Sequence, residues 1–241
     1  MELTIYFTRT NETYKGSTNL IVNGFINKCL GKNNKYHDTM SMYCVSQLRG
    51  VKMSKDGTFH FNGEEQPHVI VRSPDNDFIF NLFVGTHDFG IGKEALLGMC
   101  LDGVAVTDTI GNPMPEYDIV YTISPILLRD TRFTEKKHYC TFRDSEFTTI
   151  LKDSCVRKLV AYGVEQEKAE SINIELLHPE NSKVKTVEIK GVKQFCSQVM
   201  LKVTGDPNTR KILYELGFGK GTGIGFGSVK ALRKNKININ K

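Results

Sequence analysis

Apolar residues along this chain change their spacing in one order, and then do so again. The pattern alternates with period two over 2–8 and switches to helical spacing over 17–30 (STNLIVNGFINKCL), where Ser17 or Thr18 can cap. Extended segments follow around 42–49 and 57–62, then a strand in FIFNLFVG over 78–85, a helix over 92–101 and a strand in GVAVTD. The second half opens with a strand over 117–128 (YDIVYTISPILL). A helix from Asp144 or Ser145 to Tyr162 comes next, with Phe147, Ile150, Leu151, Cys155, Leu159 and Tyr162 at helical spacing. INIELLHP and KVKTVEIK around PENS read as a hairpin, QVMLKVTG as a strand and 206–216 as a short helix, with a last strand after a glycine cluster. Strand, helix, strands, helix, strand, stated twice, predicts an α+β fold of two tandem ferredoxin-like (RRM-like) β-α-β-β-α-β domains. The domains are expected at 1–113 and 117–241, divided in the Gly/Pro-rich GNPMPE of 111–116. The halves share the pattern and not their residues.

A chain of 241 residues can bury a core in each half without metal or disulfide support. Its six cysteines are scattered singly, with no CxxC pair and no Cys/His cluster at zinc spacing, so they read as reduced core thiols and no metal or cofactor is expected. Met1 runs directly into the alternating ELTIYF, and no apolar run approaches the roughly 18 residues of a membrane span. The expectation is a cytoplasmic protein with no membrane partner.

Net charge is +5, unevenly placed. Residues 202–241 carry +7, from Lys202, Arg210, Lys211, Lys220, Lys230, Arg233, Lys234, Lys236 and Lys241 against Asp206 and Glu215. Residues 28–55 carry +5 and the remainder −7. Two basic segments in an otherwise acidic chain predict one polyanion-binding surface assembled from both ends, the alternative being two unrelated solvated surfaces.

The basic C-terminal segment contains GFGKGTGIGFG, with glycine at every odd position from Gly217 to Gly227. Parity tests a nucleotide-loop reading. GxGxxG needs glycines three apart and GxxxxGK five apart, both odd separations, so neither fits. Those loops also follow a strand and open a helix, whereas this one follows a helix and leads to a strand. What remains is a helix stop at Gly217 and a bare backbone able to approach phosphates, with Lys220 inside it and Lys230 and Arg233 beyond; the plainer alternative is a connection where glycine lets two backbones pack.

Gly217-Phe218-Gly219, five residues, then Gly225-Phe226-Gly227 is a full match to the glycine signature near the C-terminus of the CRISPR-associated repeat-processing endoribonucleases, the sixth Cas family. YELGFG, the following SVK, and SPILLR at 124–129 also resemble that family, as do the length and the duplicated domain pattern. The resemblance implies binding of CRISPR repeat RNA and one metal-independent cut that leaves a 2′,3′-cyclic phosphate and a 5′-hydroxyl. RNA contacts are expected at the loop, Gly217, Gly219, Lys220, Gly221, Gly223, Gly225 and Gly227, and at Lys230 and Arg233 beyond it, joined by Lys28 and Arg49 of the N-terminal basic segment. Other Cas subunits of an interference complex and a homodimer are further expected partners. A catalytically inactive RNA-binding subunit of such a complex is the alternative function.

Cutting RNA without metal uses its own 2′-hydroxyl as nucleophile, so the protein must supply a base, an acid and positive charge. Of six histidines, His37 is set apart by lying in GKNNKYHD, inside the N-terminal basic segment. The family places a catalytic histidine in this stretch before an acidic residue, and Tyr36-His37-Asp38 fits, so His37 is expected as general acid or base. Family members that add a tyrosine and a lysine would place them where this chain has Asn27 and Tyr43; Tyr43 and Lys52 are the expected catalytic partners here. There is no tryptophan and no interleaving of aromatic and basic residues, so recognition is expected through hairpin shape and backbone contacts.

Overall fold

The computed structural model describes residues 1–9, 14, 17–31, 34–36, 40–54, 58–61, 65–107, 119–130 and 138–232. The first half runs β1 (Glu2–Phe7), α1 (Asn19–Leu30), β2 (Cys44–Val45), β3 (Val51–Met53), β4 (Phe59–Phe61), β5 (His68–Arg72), α2 (Asn76–Phe89), β6 (Glu94–Leu96) and β7 (Met99–Thr107). The second runs β8 (Ile119–Thr122), β9 (Arg129–Asp130), β10 (His138–Tyr139), α3 (Phe147–Tyr162), α4 (Gln166–Glu170), β11 (Asn173–Leu177), β12 (Lys183–Ile189), β13 (Val192–Gln198), β14 (Met200–Thr204), α5 (Pro207–Leu216) and β15 (Val229–Ala231).

One sheet has the order β2-β5-β1-β7-β6 and the other β11-β14-β8-β15, every pairing antiparallel. In each, the half's first strand (β1, β8) lies between its last and its third core strand, and the second core strand sits at the edge. Each half also carries an extra hairpin between its second and third core strands, β3-β4 in one and β12-β13 in the other. The halves are therefore tandem ferredoxin-like domains with matching decoration. Each has its own core, Leu3, Ile5, Phe25, Val71 and Phe78 in the first and Val120, Leu151, Leu159, Leu201 and Phe218 in the second. The divider expected at 111–116 lies outside the described residues.

Three expectations are corrected. FIFNLFVG is not a strand but the middle of α2, begun by Asp75, whose carboxylate accepts from the Asp77 and Phe78 amides. Its aromatic and β-branched residues imitate a strand, yet Phe78, Ile79, Leu82 and Thr86 are buried at helical spacing while Phe80 and Phe83 face outward. Residues 92–101 are not a helix but part of the β6-β7 hairpin, closed by Leu97 (φ 53°) and Gly98 (φ 70°). INIELL and KVKTVEI do not pair with each other. β11 joins the main sheet beside β14, and β12 pairs with β13 across Lys190 (φ 50°) and Gly191 (φ 73°). Both missed hairpins use two consecutive residues at positive φ, the turn whose twist suits antiparallel strands and whose second position favours glycine. β5, inside its sheet between β2 and β1, has only three apolar residues between His68 and Arg72, too short a run for periodicity to single out.

Candidate nucleic-acid interface

The glycine loop joins α5 to β15 and lies where the two domains meet. Phe218 and Phe226 are both fully buried, Phe218 in the second-domain core and Phe226 against Leu127 and Cys196. Glycines flank each phenylalanine, and all four have positive φ: 75° at Gly217, 74° at Gly219, 85° at Gly225 and 65° at Gly227. Each Gly-Phe-Gly is thus a sharp bend that drives an aromatic anchor inward. The two bends touch: the Phe218 amide donates to the Gly227 carbonyl at 2.9 Å, and a Cβ on Gly227 would stand 1.9 Å from the Phe218 oxygen. The five-residue spacer is what this closure encloses, and it includes a 3-10 turn at Thr222–Ile224.

That turn reaches the first domain. Asn19 and Asn23 of α1 donate to the carbonyls of Ile224 (2.7 Å) and Gly223 (3.0 Å), and the Thr222 hydroxyl donates to the Tyr43 carbonyl (2.9 Å). A Cβ would strike Cys44 Sγ at Gly217 (2.6 Å), Ser41 Oγ at Gly223 (2.5 Å) and Asn19 Nδ2 at Gly225 (2.7 Å). The amides of Phe218, Lys220 and Gly227 are already bound to protein carbonyls. Half of the absent side chains, at Gly217, Gly223 and Gly225, are thus explained by close packing of the two domains, and the part of the loop that opens to a cleft is 219–222.

That cleft, of about 530 Å³, is bounded by Met40 and Ser41, by Ser154 and Arg157 of α3, and by Gly219, Lys220, Gly221 and Thr222 over Lys158. Lys158 is buried, and its ammonium donates to the carbonyls of Leu216 (3.4 Å), Gly217 (3.2 Å) and Gly219 (2.9 Å) and to the Thr222 hydroxyl (3.3 Å). It satisfies carbonyls left open at the end of α5 and pins the start of the loop. Burial holds this ammonium below the ordinary lysine range, with the Cys155 and Cys44 thiols opposing. Lys220, at the rim, is also lowered, by partial burial and then by the neighbouring charges of Arg157 and Arg129.

The other expected residues are dispersed. Tyr43 is buried, stacks on Phe78 (4.4 Å between centroids), and burial raises its phenol pKa against hydrogen bonds from Ser41 and Asn23. Lys52 is exposed on the β3-β4 hairpin opposite His60, and Arg49 Nη2 lies 3.9 Å from Glu65. Lys28 Nζ sits 4.8 Å from the Phe89 ring centre, and Lys230 is exposed on β15. No described contact brings these four to the cleft. His37 and Arg233 lie outside the described residues. Sequence reasoning missed Arg157 and Lys158. The signal for Lys158 was its place on the buried stripe of α3, three residues after Cys155 and one before Leu159, where a lysine needs a buried partner.

The fold and the clasped loop define a tandem ferredoxin-like protein with a basic cleft at its domain junction. Residues 112–231 match the family model for CRISPR associated protein Cas6, C-terminal. Over 214 residues the chain is 28% identical to CRISPR-associated endoribonuclease Cas6 1 of Methanocaldococcus jannaschii, covering 81% of this chain and 75% of that one. A solved structure described as CRISPR associated protein Cas6 superposes with TM-score 0.76 at 23% identity, over 97% of this chain and 99% of that one. The product of a Cas6-related gene from Pyrococcus furiosus superposes with TM-score 0.80 at 19% identity over the same shares. The chain belongs to the Cas6 family.

Proposed function

We propose that the protein is an endoribonuclease that binds CRISPR repeat RNA and cuts precursor transcripts into guide RNAs. The observation that carries this reading is the double Gly-Phe-Gly loop opening, at Gly219 and Lys220, onto a cleft edged by Arg157. The Methanocaldococcus jannaschii relative, named an endoribonuclease, supports it. In the reaction we assign, the 2′-oxygen attacks the adjacent phosphorus while a base removes its proton. The P–O5′ bond breaks, an acid protonates the departing 5′-oxygen, and a 2′,3′-cyclic phosphate and a 5′-hydroxyl result. No outside reactant and no metal ion takes part in this step. His37 is assigned as acid or base; Met40 and Ser41, shortly after it in sequence, line the cleft. Lys220 and Arg157 supply the positive charge that favours the phosphorane. Tyr43, buried and held as a neutral phenol, stacks on Phe78 in the first-domain core and does not line the cleft.

Incubation with its repeat RNA in EDTA tests the assignment. A single cut with cyclic-phosphate ends is expected, and His37→Ala should abolish it while leaving RNA binding near wild type. Full cleavage by His37→Ala sinks the role of His37. A second reading, an RNA-binding subunit without activity, is favoured by one observation. At the family's tyrosine position stands Asn27, whose amide is turned back onto Asn23 (3.0 Å to its carbonyl). It predicts binding and no cut under any condition.

A further inference from the structure

Three cations gather beside the cleft, Arg157 and Lys220 on its lining and Arg129 next to it, with no ion pair among the described residues. Arg157 is exposed on α3, Lys220 is half-buried in the loop, and Arg129 on β9 stands two residues beyond Leu127, whose carbonyl accepts from the Lys220 amide at 2.9 Å; the charges of Arg157 and Arg129 both lower the Lys220 pKa. Among the described residues, neither Arg157 nor Lys220 forms an ion pair. Arg129 gives one guanidinium nitrogen to Gln194 Oε1 (2.9 Å), while its Nε is buried without a hydrogen-bond partner. On its other side Arg157 borders a groove shared with Lys152, Asp153 and Glu170, where charges of both signs meet. Unbalanced positive charge is therefore confined to the cleft side. Lys158 adds none of its hydrogen-bonding capacity to that rim, because its donors are engaged by the loop beneath.

Like charges held together without a counter-ion raise the free energy of the empty site, and an anion relieves it. A phosphodiester suits the set: planar guanidinium for two oxygens, an ammonium as a point charge, and the hydroxyl of Ser154 on the cleft wall as a further donor.

We propose that Arg157, Lys220 and Arg129 form a phosphodiester-binding site for the RNA backbone, seated on the segment of loop that Lys158 pins. This rests on the RNA-binding reading above and adds the residues of α3 and β9 to it. The site positions the strand and carries no base information.

The test is the salt dependence of binding of fluorescein-labelled repeat RNA to the full chain, for wild type, the Arg157→Gln/Lys220→Gln double variant and a control, Lys185→Gln, on the exposed face of β12. Removing two phosphate contacts on single-stranded RNA should flatten the plot of log K against log salt by about 1.4. The loss should be equal for repeat and scrambled RNA, with thermal melting unchanged and the control at the wild-type slope. If wild type binds and the double variant keeps its slope, the site is wrong while the RNA reading stands. If wild type binds no RNA, both fall. Inorganic phosphate replacing chloride at equal ionic strength should leave wild-type binding unchanged; displacement of the RNA would identify a small-anion pocket and overturn the assignment.

Discussion

The Lys158 ammonium lies 2.9 Å from the Gly219 carbonyl oxygen, buried beneath the loop that joins the two domains. Three carbonyls and a hydroxyl surround it, so its removal leaves acceptors that water cannot reach. Lys158→Met should lower stability by about 3 kcal/mol in urea unfolding. The pH dependence has a definite sign. Burial lowers the folded-state pKa below the ordinary lysine value of 10.5, so as pH rises between the two the unfolded chain binds the extra proton, and stability rises with pH. The advantage of wild type over Lys158→Met should therefore widen as pH rises toward 10.5 through the interval between the two. A difference that stays flat across the range would mean that the ammonium titrates like a solvated one.

Glycine substitutions separate packing from conformation. Gly24 and Gly85 both stand inside helices, yet a Cβ at Gly24 meets nothing within 4 Å, whereas one at Gly85 would be 1.9 Å from the Cys29 carbonyl of the crossing helix. Gly24→Ala should raise stability by about 0.5–1 kcal/mol, since alanine restricts the unfolded chain and favours the helix. Gly85→Ala should force α1 and α2 apart and cost about 3 kcal/mol. In the loop, Gly227→Ala combines positive φ with a clash against Phe218 and should be worse than Gly221→Ala. At Gly221 the backbone also has positive φ, but the nearest contact is the Phe226 ring edge at 3.0 Å. Thermal melting of the four variants orders them; equal losses at Gly24 and Gly85 would refute the close crossing.

The domain pattern and the loop were legible in sequence because each leaves a local trace: a change of period, or glycine at every second position. The even spacing was informative for a reason the sequence alone did not give. Gly217, Gly219, Gly225 and Gly227 are paired around buried Phe218 and Phe226, so the signature encodes two facing bends. What stayed hidden was long-range. Asn19 and Asn23 look like ordinary helix residues until the loop arrives 205 and 200 positions later. FIFNLFVG misled because its exposed face is as apolar as its buried one, with Phe80 at 65% exposure, which erases the contrast that marks a helix. Arg157 carried no motif at all; only the fold sets it beside Lys220.

Arg72 is a buried polar tie between the domains. Its side chain is 3% exposed, pairs with Glu2 at 2.6 Å, donates to the Val229 carbonyl at 2.7 Å and lies 4.5 Å from the Tyr214 ring centre. Glu2 belongs to the first domain, Val229 and Tyr214 to the second, so one guanidinium serves both. Arg72→Met should cost roughly 3–5 kcal/mol, because the Glu2 carboxylate and a buried carbonyl lose their partner together. It should also weaken the coupling between domains. Calorimetry is expected to show one cooperative transition in wild type and a broadened or split one in the variant. A variant that melts at a lower temperature with an unchanged, single transition would show that the other contacts suffice to hold the domains as one unit.

The cysteines offer a chemical check on the packing around the junction. Burial pushes the thiols of Cys29 and Cys196 up to about 12 and that of Cys155 to about 11, the last while it lies beside Lys158. At pH 8 a thiol with a pKa near 12 is ionised to roughly one part in ten thousand, and the thiolate is the form that reacts. Iodoacetamide added to the native protein at that pH should leave all three unmodified, by peptide mass spectrometry, over a time that fully alkylates the urea-unfolded chain. Lys158→Met removes the charge that opposes the rise at Cys155 but also loosens the loop above it. Access should then outweigh the loss of the cation, and Cys155 should become the first of the three to be labelled. Rapid labelling of Cys155 in the wild-type protein would contradict the closed packing of α3 against the glycine loop.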